Sequence, residues 1–287
     1  MKQAFCGKTR VLAIIGNPIS HSKSPIMQNA ALQACGLDYV YIPFEVSPEY
    51  LGEAVHGLKA LGVAGANVTI PYKTDVIKYL DELDETAVAA GAVNTIHNVS
   101  GRLIGYNTDG DGLVRSLADD LDFMPQARTI LMIGAGGAAR GALAALCRSG
   151  ARRVYVYNRT CIKAFELVSS MAIRYSGTEL IAVTNVTELD TALPNIDLVI
   201  NATSLGMKRE KIRSLRLDLL PHSAKVYDMV YAPPVTELLS EAARMGLRGV
   251  NGLGMLAAQG EIAFTIWTGS VPPTGLMRNI LTDICNN

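Results

Sequence analysis

Apolar positions recur along this chain in two rhythms. Short β-branched runs suit buried strands, and they alternate with stretches of three-to-four-residue apolar spacing that suit helices packed on one face. Residues 11–16 (VLAIIG) predict a strand, and residues 24–36 (SPIMQNAALQACG) predict the helix after it. Ser24 can cap that helix, Pro25 fits its first position, and Gly36 fits its C-terminal end. A strand is expected at 39–46 (YVYIPFEV), a helix at 48–62 and a strand at 64–70 (AGANVTI). That β-α-β-α-β order predicts a mostly parallel sheet with helices on its faces. After a helix near 74–83, NTIHNV and RLIGYN flank Ser100-Gly101 as a two-residue hairpin, a mixed edge to this sheet.

A helix at 111–121 leads away, and Pro125 interrupts the chain before a second alternating series. Its strands are expected at 128–134, 153–158, 179–184, 196–201 and 224–231, with helices between most pairs. Residues 235–246 are strongly amphipathic, and two helical segments close the chain. The fold class is therefore α/β in two domains, with the boundary near 110–125.

Composition removes several function classes. The chain has 287 residues, 49% of them apolar and only 18% charged, as a compact protein does. Lys+Arg and Asp+Glu balance at 26 each, so no net field favours nucleic acid or an anionic membrane. The apolar stretch at the N-terminus reaches glycine too soon for a signal peptide. Five scattered cysteines without a CxxC pair predict reduced thiols and a cytoplasmic setting. The four histidines lie far apart, and no metal site is expected.

The second series opens with ILMIGAGGAARGALAAL, which fits G-x-G-x-x-A on Gly134, Gly136 and Ala139. The first glycine allows a tight turn, and the second lets backbone N–H groups approach a pyrophosphate at the helix N-terminus. The strand–turn–helix setting gives the match its weight. An NAD site usually carries a carboxylate at the end of the next strand. Here that strand ends in Asn158, Arg159 and Thr160. Nothing there repels a 2′-phosphate, and the Arg159 guanidinium can hold one, so NADP is the expected cofactor.

Polar patches stand out in the first series. Ser22 and Ser24 lie on the loop before the first helix, where two hydroxyls suit a small carboxylate, although Ser24 could simply cap the helix. Asn94 starts a strand, Asp109 ends another, and Lys73 follows the strand of NVTIPYK. Taken together, GNPISHSKSP, ANVTIPYK, GAVNT, GYNTDG, GAGGAAR, NRT, NATSLGM, DMVY and GLGMLAAQ resemble the shikimate dehydrogenase family almost end to end. The resemblance implies a substrate domain of 1–110 completed by C-terminal helices 253–287, and a Rossmann-like NADP domain of 111–252. It implies reversible, NADP-dependent reduction of 3-dehydroshikimate to shikimate, with Lys73 catalytic and Asp109 beside it. Ser22 and Ser24 correspond to carboxylate ligands, and Thr69, Asn94, Tyr231 and Gln259 to further substrate contacts. Gly134, Ala135, Gly136, Gly137, Ala138, Asn158, Arg159, Thr160, Lys163, Met229 and Gly252 correspond to the cofactor site.

One stretch departs from the pattern. KREKIRSLRLDLL follows NATSLGM where an acidic or proline-containing loop is expected, which puts contacts at 207–216 in doubt. WTG and MQNAAL resemble relatives that accept quinate and NAD, which differ at the end of the second strand. The alternatives are therefore a quinate/shikimate dehydrogenase with NAD or dual cofactor use, and a catalytically silent shikimate-binding homologue. Retention of Lys73 and Asp109 argues against silence. A homodimer stays open.

Overall fold

A computed structural model describes residues 5–286. Positions 1–4 and 287, at the outer ends of the expected substrate domain, lie outside the described residues. The chain divides into two compact units, each built on a six-stranded sheet. One unit runs as far as Thr108 and resumes over Gln259–Ile284; the other covers Asp109–Ala258 and the chain from Cys285.

The first unit contains β1 (Arg10–Gly16), β2 (Tyr39–Glu45), β3 (Gly65–Val68), β4 (Glu82–Leu83), β5 (Thr95–Val99) and β6 (Arg102–Tyr106). Their order is β2-β1-β3-β5-β6-β4. The first three strands are parallel, as the β-α-β-α-β pattern requires, while β5 runs antiparallel to both β3 and β6. Ser100 and Gly101 both take positive φ, 54° and 87°, the backbone that a two-residue hairpin with matching twist demands. The edge strand β2 carries Pro43. Helix α1 (Ser24–Ala34) ends before Gly36, which turns the chain with φ +64°. Ser24 is its first residue rather than its cap: the N-cap is Lys23, whose side chain makes no capping hydrogen bond. Helix α2 (Leu51–Ala60) buries Leu51, Val55 and Leu58 on one face.

Two further expectations in this unit are corrected. The strand expected to 70 stops at Val68, and the chain turns there: the Thr69 carbonyl accepts from Tyr72 N at 2.9 Å. The helix expected near 74–83 is a short 3₁₀ turn, Asp75–Tyr79, followed by β4. Pairing with β6 wins there: Asp81 N bonds Leu103 O, and the Asp81 carboxylate accepts from Leu103 N at 2.7 Å. A short helix α3 (Glu85–Ala90), capped by the Asp84 carboxylate, was not anticipated.

The second unit contains α4 (Asp109–Leu121), β7 (Thr129–Ile133), α5 (Gly137–Arg148), β8 (Arg153–Tyr157), α6 (Cys161–Ala172), β9 (Glu179–Val183), α7 (Val186–Ala192), β10 (Leu198–Asn201), β11 (Lys225–Asp228), α8 (Glu237–Arg244) and β12 (Arg248–Asn251). The strand order β12-β11-β10-β7-β8-β9 is wholly parallel, the doubly wound arrangement of dinucleotide-binding sheets. Strand β12 was not foreseen. Helix α4 starts two residues before its expected beginning, so Asp109 opens a helix and does not end a strand.

Helices α9 (Leu253–Thr268) and α10 (Leu276–Asn286) close the chain. Trp267 of α9 donates its indole N–H to the Ile96 carbonyl at 2.8 Å and lies directly over Gly65. A Cβ at Gly65 would overlap both the indole and that carbonyl. Gly65→Ala is therefore expected to destabilise the protein by about 1–3 kcal/mol, the usual cost of overpacking. Urea unfolding followed by Trp267 emission measures it, and an unchanged midpoint would show that β3 and α9 separate without penalty.

Candidate active site

Both sheets reverse strand order next to their first strand, and loops diverging at such a point leave a crevice at the strands' carboxyl ends. In the first sheet the reversal lies between β1 and β3. Their loops are laced together there, with Thr69 N on Ile15 O and Asn17 N on Ile70 O, both at 3.0 Å. Gly16 lies against Thr69, and a Cβ there would strike that side chain. The β1 loop brings Ser22 and Ser24, with Ser24 N bonded to Ser22 Oγ at 3.3 Å. The β3 loop brings Thr69 and a half-buried Lys73. Because β5 is antiparallel, its first residues reach the same end: Val93 N bonds Lys73 O at 2.7 Å, and Val68 N bonds Asn94 O at 2.8 Å. The loops that carry Ser22, Ser24, Thr69, Lys73 and Asn94 thus converge at one end of the first sheet.

The Asn94 amide grips Thr108, accepting from its backbone N at 2.8 Å and donating to its hydroxyl at 2.9 Å. Asp109 is the next residue along the chain, buried at the start of α4. Gln259 is buried rather than on an exposed helix face. Its neighbour Gly260 accepts from the Gln28 amide at 2.9 Å, which fastens this part of α9 to α1.

Sequence reasoning did not assign the polar side chains beneath these residues. Tyr41, Asn67, Thr95 and Thr108 are all buried. Tyr41 donates to Asn67 Oδ1 at 2.7 Å, and Asn67 Nδ2 donates to Asn94 O and Thr95 Oγ1 at 3.0 and 3.1 Å. Polar residues inside strands that otherwise read as apolar were the available signal.

In the second sheet the order reverses between β7 and β10, and the glycine turn lies there. Gly134 has φ +116° and packs against Ala202 and Thr203, so its glycine identity follows from backbone and neighbours. Gly136 and Gly137 differ. Gly136 has an ordinary extended backbone, and a Cβ on either residue would meet nothing within 4 Å. The chain itself does not need that space. It lies at the N-terminus of α5, where no side chain caps the helix, with Ala135 and Ala138 beside it. A pyrophosphate fits such a cradle.

Gly134 N bonds Tyr157 O at 2.8 Å, which sets the end of β8 beside the turn. Asn158, an exposed Arg159 and Thr160 follow, with Asn158 Nδ2 on Thr160 O at 2.9 Å and Lys163 N on Thr160 O at 3.0 Å. On the other side, Met229 N bonds Asn201 O at 2.9 Å, and Gly252 packs so closely on Met229 that a Cβ would strike its carbonyl. Tyr231 follows, half-buried. These loops hang on one buried carboxylate: Asp228 accepts from Asn201 Nδ2 at 2.8 Å, Val230 N at 3.0 Å and Thr236 Oγ1 at 2.6 Å. Burial pushes its pKa up, while the Thr236, Val230 and Asn201 hydrogen bonds act against that rise.

The basic stretch 207–216 is explained in part by packing. Glu210 closes its turn by accepting from Gly206 N and Lys208 N, while Leu215 and Leu217 enter the second core.

Residues 14–96 match the family described as shikimate dehydrogenase substrate binding domain, and 117–220 match shikimate / quinate 5-dehydrogenase. Residues 252–282 match the shikimate 5′-dehydrogenase C-terminal domain. The chain belongs to the shikimate dehydrogenase family. It is 52% identical over 273 residues to the shikimate dehydrogenase (NADP(+)) of Geobacter metallireducens, covering 95% of this chain and 96% of that protein. A shikimate dehydrogenase crystallised in complex with NADP+ superposes with a TM-score of 0.90 at 38% identity, over 99% of this chain and 98% of the other. The Listeria monocytogenes shikimate 5-dehydrogenase, in complex with shikimate and NAD, gives 0.90 at 33% identity over 99% of each chain.

Gly136→Ala separates the cradle from the fold. Its stability is expected to stay within about 0.5 kcal/mol of the parent, as for an unobstructed surface site. Affinity for NADP should fall roughly tenfold or more, the worth of one hydrogen bond to a charged group. Thermal unfolding and cofactor titration measure the two effects, and unimpaired binding would show that the space above Gly136 holds no phosphate.

Proposed function

We propose that the protein reversibly reduces 3-dehydroshikimate to shikimate with NADPH, in the synthesis of aromatic amino acids. What supports this reading is that the loops carrying Ser22, Ser24, Thr69, Lys73 and Asn94 converge at the carboxyl ends of β1 and β3. Ser22 and Ser24 donate to the substrate carboxylate. Thr69 and Asn94 orient the ring hydroxyls, joined by Tyr231 and Gln259. The bound cofactor supplies a hydride to the ketone carbon. Lys73 stabilises the charge that develops on the ketone oxygen and delivers the proton; in the reverse direction the neutral amine takes it back. Asp109 orients Lys73 and holds a ring hydroxyl.

Gly134 to Ala138 receive the pyrophosphate, and Asn158, Arg159, Thr160 and Lys163 hold the adenosine end with its 2′-phosphate. Met229 and Gly252 would complete the cofactor site. The domain roles follow: a substrate domain of 1–110 completed by 253–287, and a cofactor domain of 111–252. The five cysteines are free, which suits the cytoplasm. Light scattering reads whether a homodimer forms.

Lys73→Ala should lose about 10²–10⁴-fold in kcat, the range of general acid catalysis. Its KM for shikimate should change far less, because the lysine acts mainly in the transition state. Steady-state kinetics with calorimetric shikimate binding checks this, and near-normal kcat would remove Lys73 from the chemistry. Arg159→Ala tests the cofactor. A charge-assisted hydrogen bond contributes about 1.5–3 kcal/mol, and exposure favours the lower figure, so NADP affinity should drop roughly tenfold with NAD nearly unaffected. Equal weakening of both cofactors would mean that Arg159 supports the loop and does not read the phosphate.

A further inference from the structure

We propose that Gln28 is a positioning residue of the substrate site: its buried amide locks α9 on α1 at the rotation that turns Gln259 toward the substrate. This rests on the reading of Gln259 as a substrate contact, and the experiment below separates the two.

Gln28 lies on α1 about one turn after Ser24, so the two residues share a face of that helix. Both are buried, Gln28 completely. Gln28 Nε2 donates to the Gly260 carbonyl of α9 at 2.9 Å. Gly260 lets the two helices come this close, because a Cβ there would lie 2.4 Å from the Met27 methyl. A carbonyl can only accept, so the amide has one orientation: Nε2 is spent on Gly260, and Oε1 is the atom left over.

Oε1 is buried and finds no hydrogen-bond partner among the described residues. An acceptor left unmet in the interior costs stability. The Gly260 carbonyl does not require the amide either, since within α9 it takes the N–H of the helix's next turn. On stability alone a hydrocarbon of the same length would serve at this position. What the amide adds is direction.

Successive residues of a helix point about 100° apart and rise about 1.5 Å. Once Gly260 is held against α1, its neighbour Gln259 has one direction and one height. Trp267 holds the same face of α9 about two turns further on, through its bond to the Ile96 carbonyl at 2.8 Å. Gln28 holds it beside Gln259. A side chain fixed in this way before substrate arrives has less freedom to lose on binding.

The test is a cycle of Gln28→Met, Gln259→Ala and the double variant, with the thermal midpoint, kcat and KM for shikimate and for NADP measured for each. Methionine keeps the length of the side chain and fills irregular interior space, while removing both the donor and the unmet acceptor. Gln28→Met is expected to melt no lower than the parent and to raise KM for shikimate about three- to tenfold, the worth of one neutral hydrogen bond. Its KM for NADP should not change, and kcat should stay within about twofold, since uniform binding and not the transition state is affected. Gln259→Ala should raise KM for shikimate, and the double variant should be little worse than Gln259→Ala, because Gln28 acts through Gln259.

Gln28→Glu gives a second readout. A buried carboxyl titrates above its usual range; protonated, it can donate to the Gly260 carbonyl as the amide does, and ionised it cannot. The ratio of its KM for shikimate to that of the parent should therefore lie near one at low pH and climb as pH rises. A ratio raised equally at every pH overturns the proposal. If Gln259→Ala raises KM while Gln28→Met does not, the reading of Gln259 stands and the role of Gln28 is overturned. Additive effects, a parallel rise in KM for NADP, or a lowered midpoint or lost fold in Gln28→Met also overturn it, since the amide would then serve the fold at large. An unchanged KM in Gln259→Ala overturns the reading of Gln259 and this proposal with it.

Discussion

Two backbone hydrogen bonds, Val93 N to Lys73 O and Val68 N to Asn94 O, tie the turn after β3 to the start of β5. They exist because β5 runs against β3. In a wholly parallel sheet the start of a neighbouring strand lies at the amino end, a full strand length from the crevice. The antiparallel step brings Asn94 to the carboxyl end, where the Lys73 turn already is. The Asn94 carbonyl then accepts from both Val68 N and Asn67 Nδ2, which fixes Asn67 and, through it, Tyr41. The Asn94 side chain sets Thr108, the residue before Asp109. Much of the polar arrangement in the first unit descends from that reversal.

The second unit solves a different problem. Its sheet is wholly parallel, and its crevice is formed by what is left out: side chains are absent at Gly136 and Gly137, and no capping group covers the start of α5. Loops bordering such a space need support from behind. Asp228 supplies it, with three donors converging on one carboxylate from Asn201, Val230 and Thr236. A buried carboxylate with fewer donors would be costly, so the three contacts hold the loops and satisfy the charge together.

The sequence made the alternation of strands and helices legible because apolar period and turn residues agreed over most segments. It failed where pairing overrode local preference. Near 74–83 a helix was expected, but the exposed ladder of β6 took Glu82 and Leu83 as a strand. Strand β12 was hidden because RGVN has little apolar character, and its place comes from the ladder of β11. In the site, residues beside glycine, proline or a strand end were legible, among them Lys73 and Arg159. Tyr41, Asn67 and Thr95 were not, since a polar atom in a strand gives no sign of its partner until the neighbouring strands are in register.

The order of strands also decides where each sheet ends, and an open ladder is an invitation to foreign strands. The first sheet answers on both sides. Pro43 interrupts the N–H groups of β2, and β4 offers only two residues to pair with. The second sheet ends in β12, four residues long with Gly249 within it, and in β9, which has neither proline nor glycine. Edge-to-edge aggregation under destabilising conditions would therefore begin most readily at β9, where Glu179 is the one charged residue of the strand.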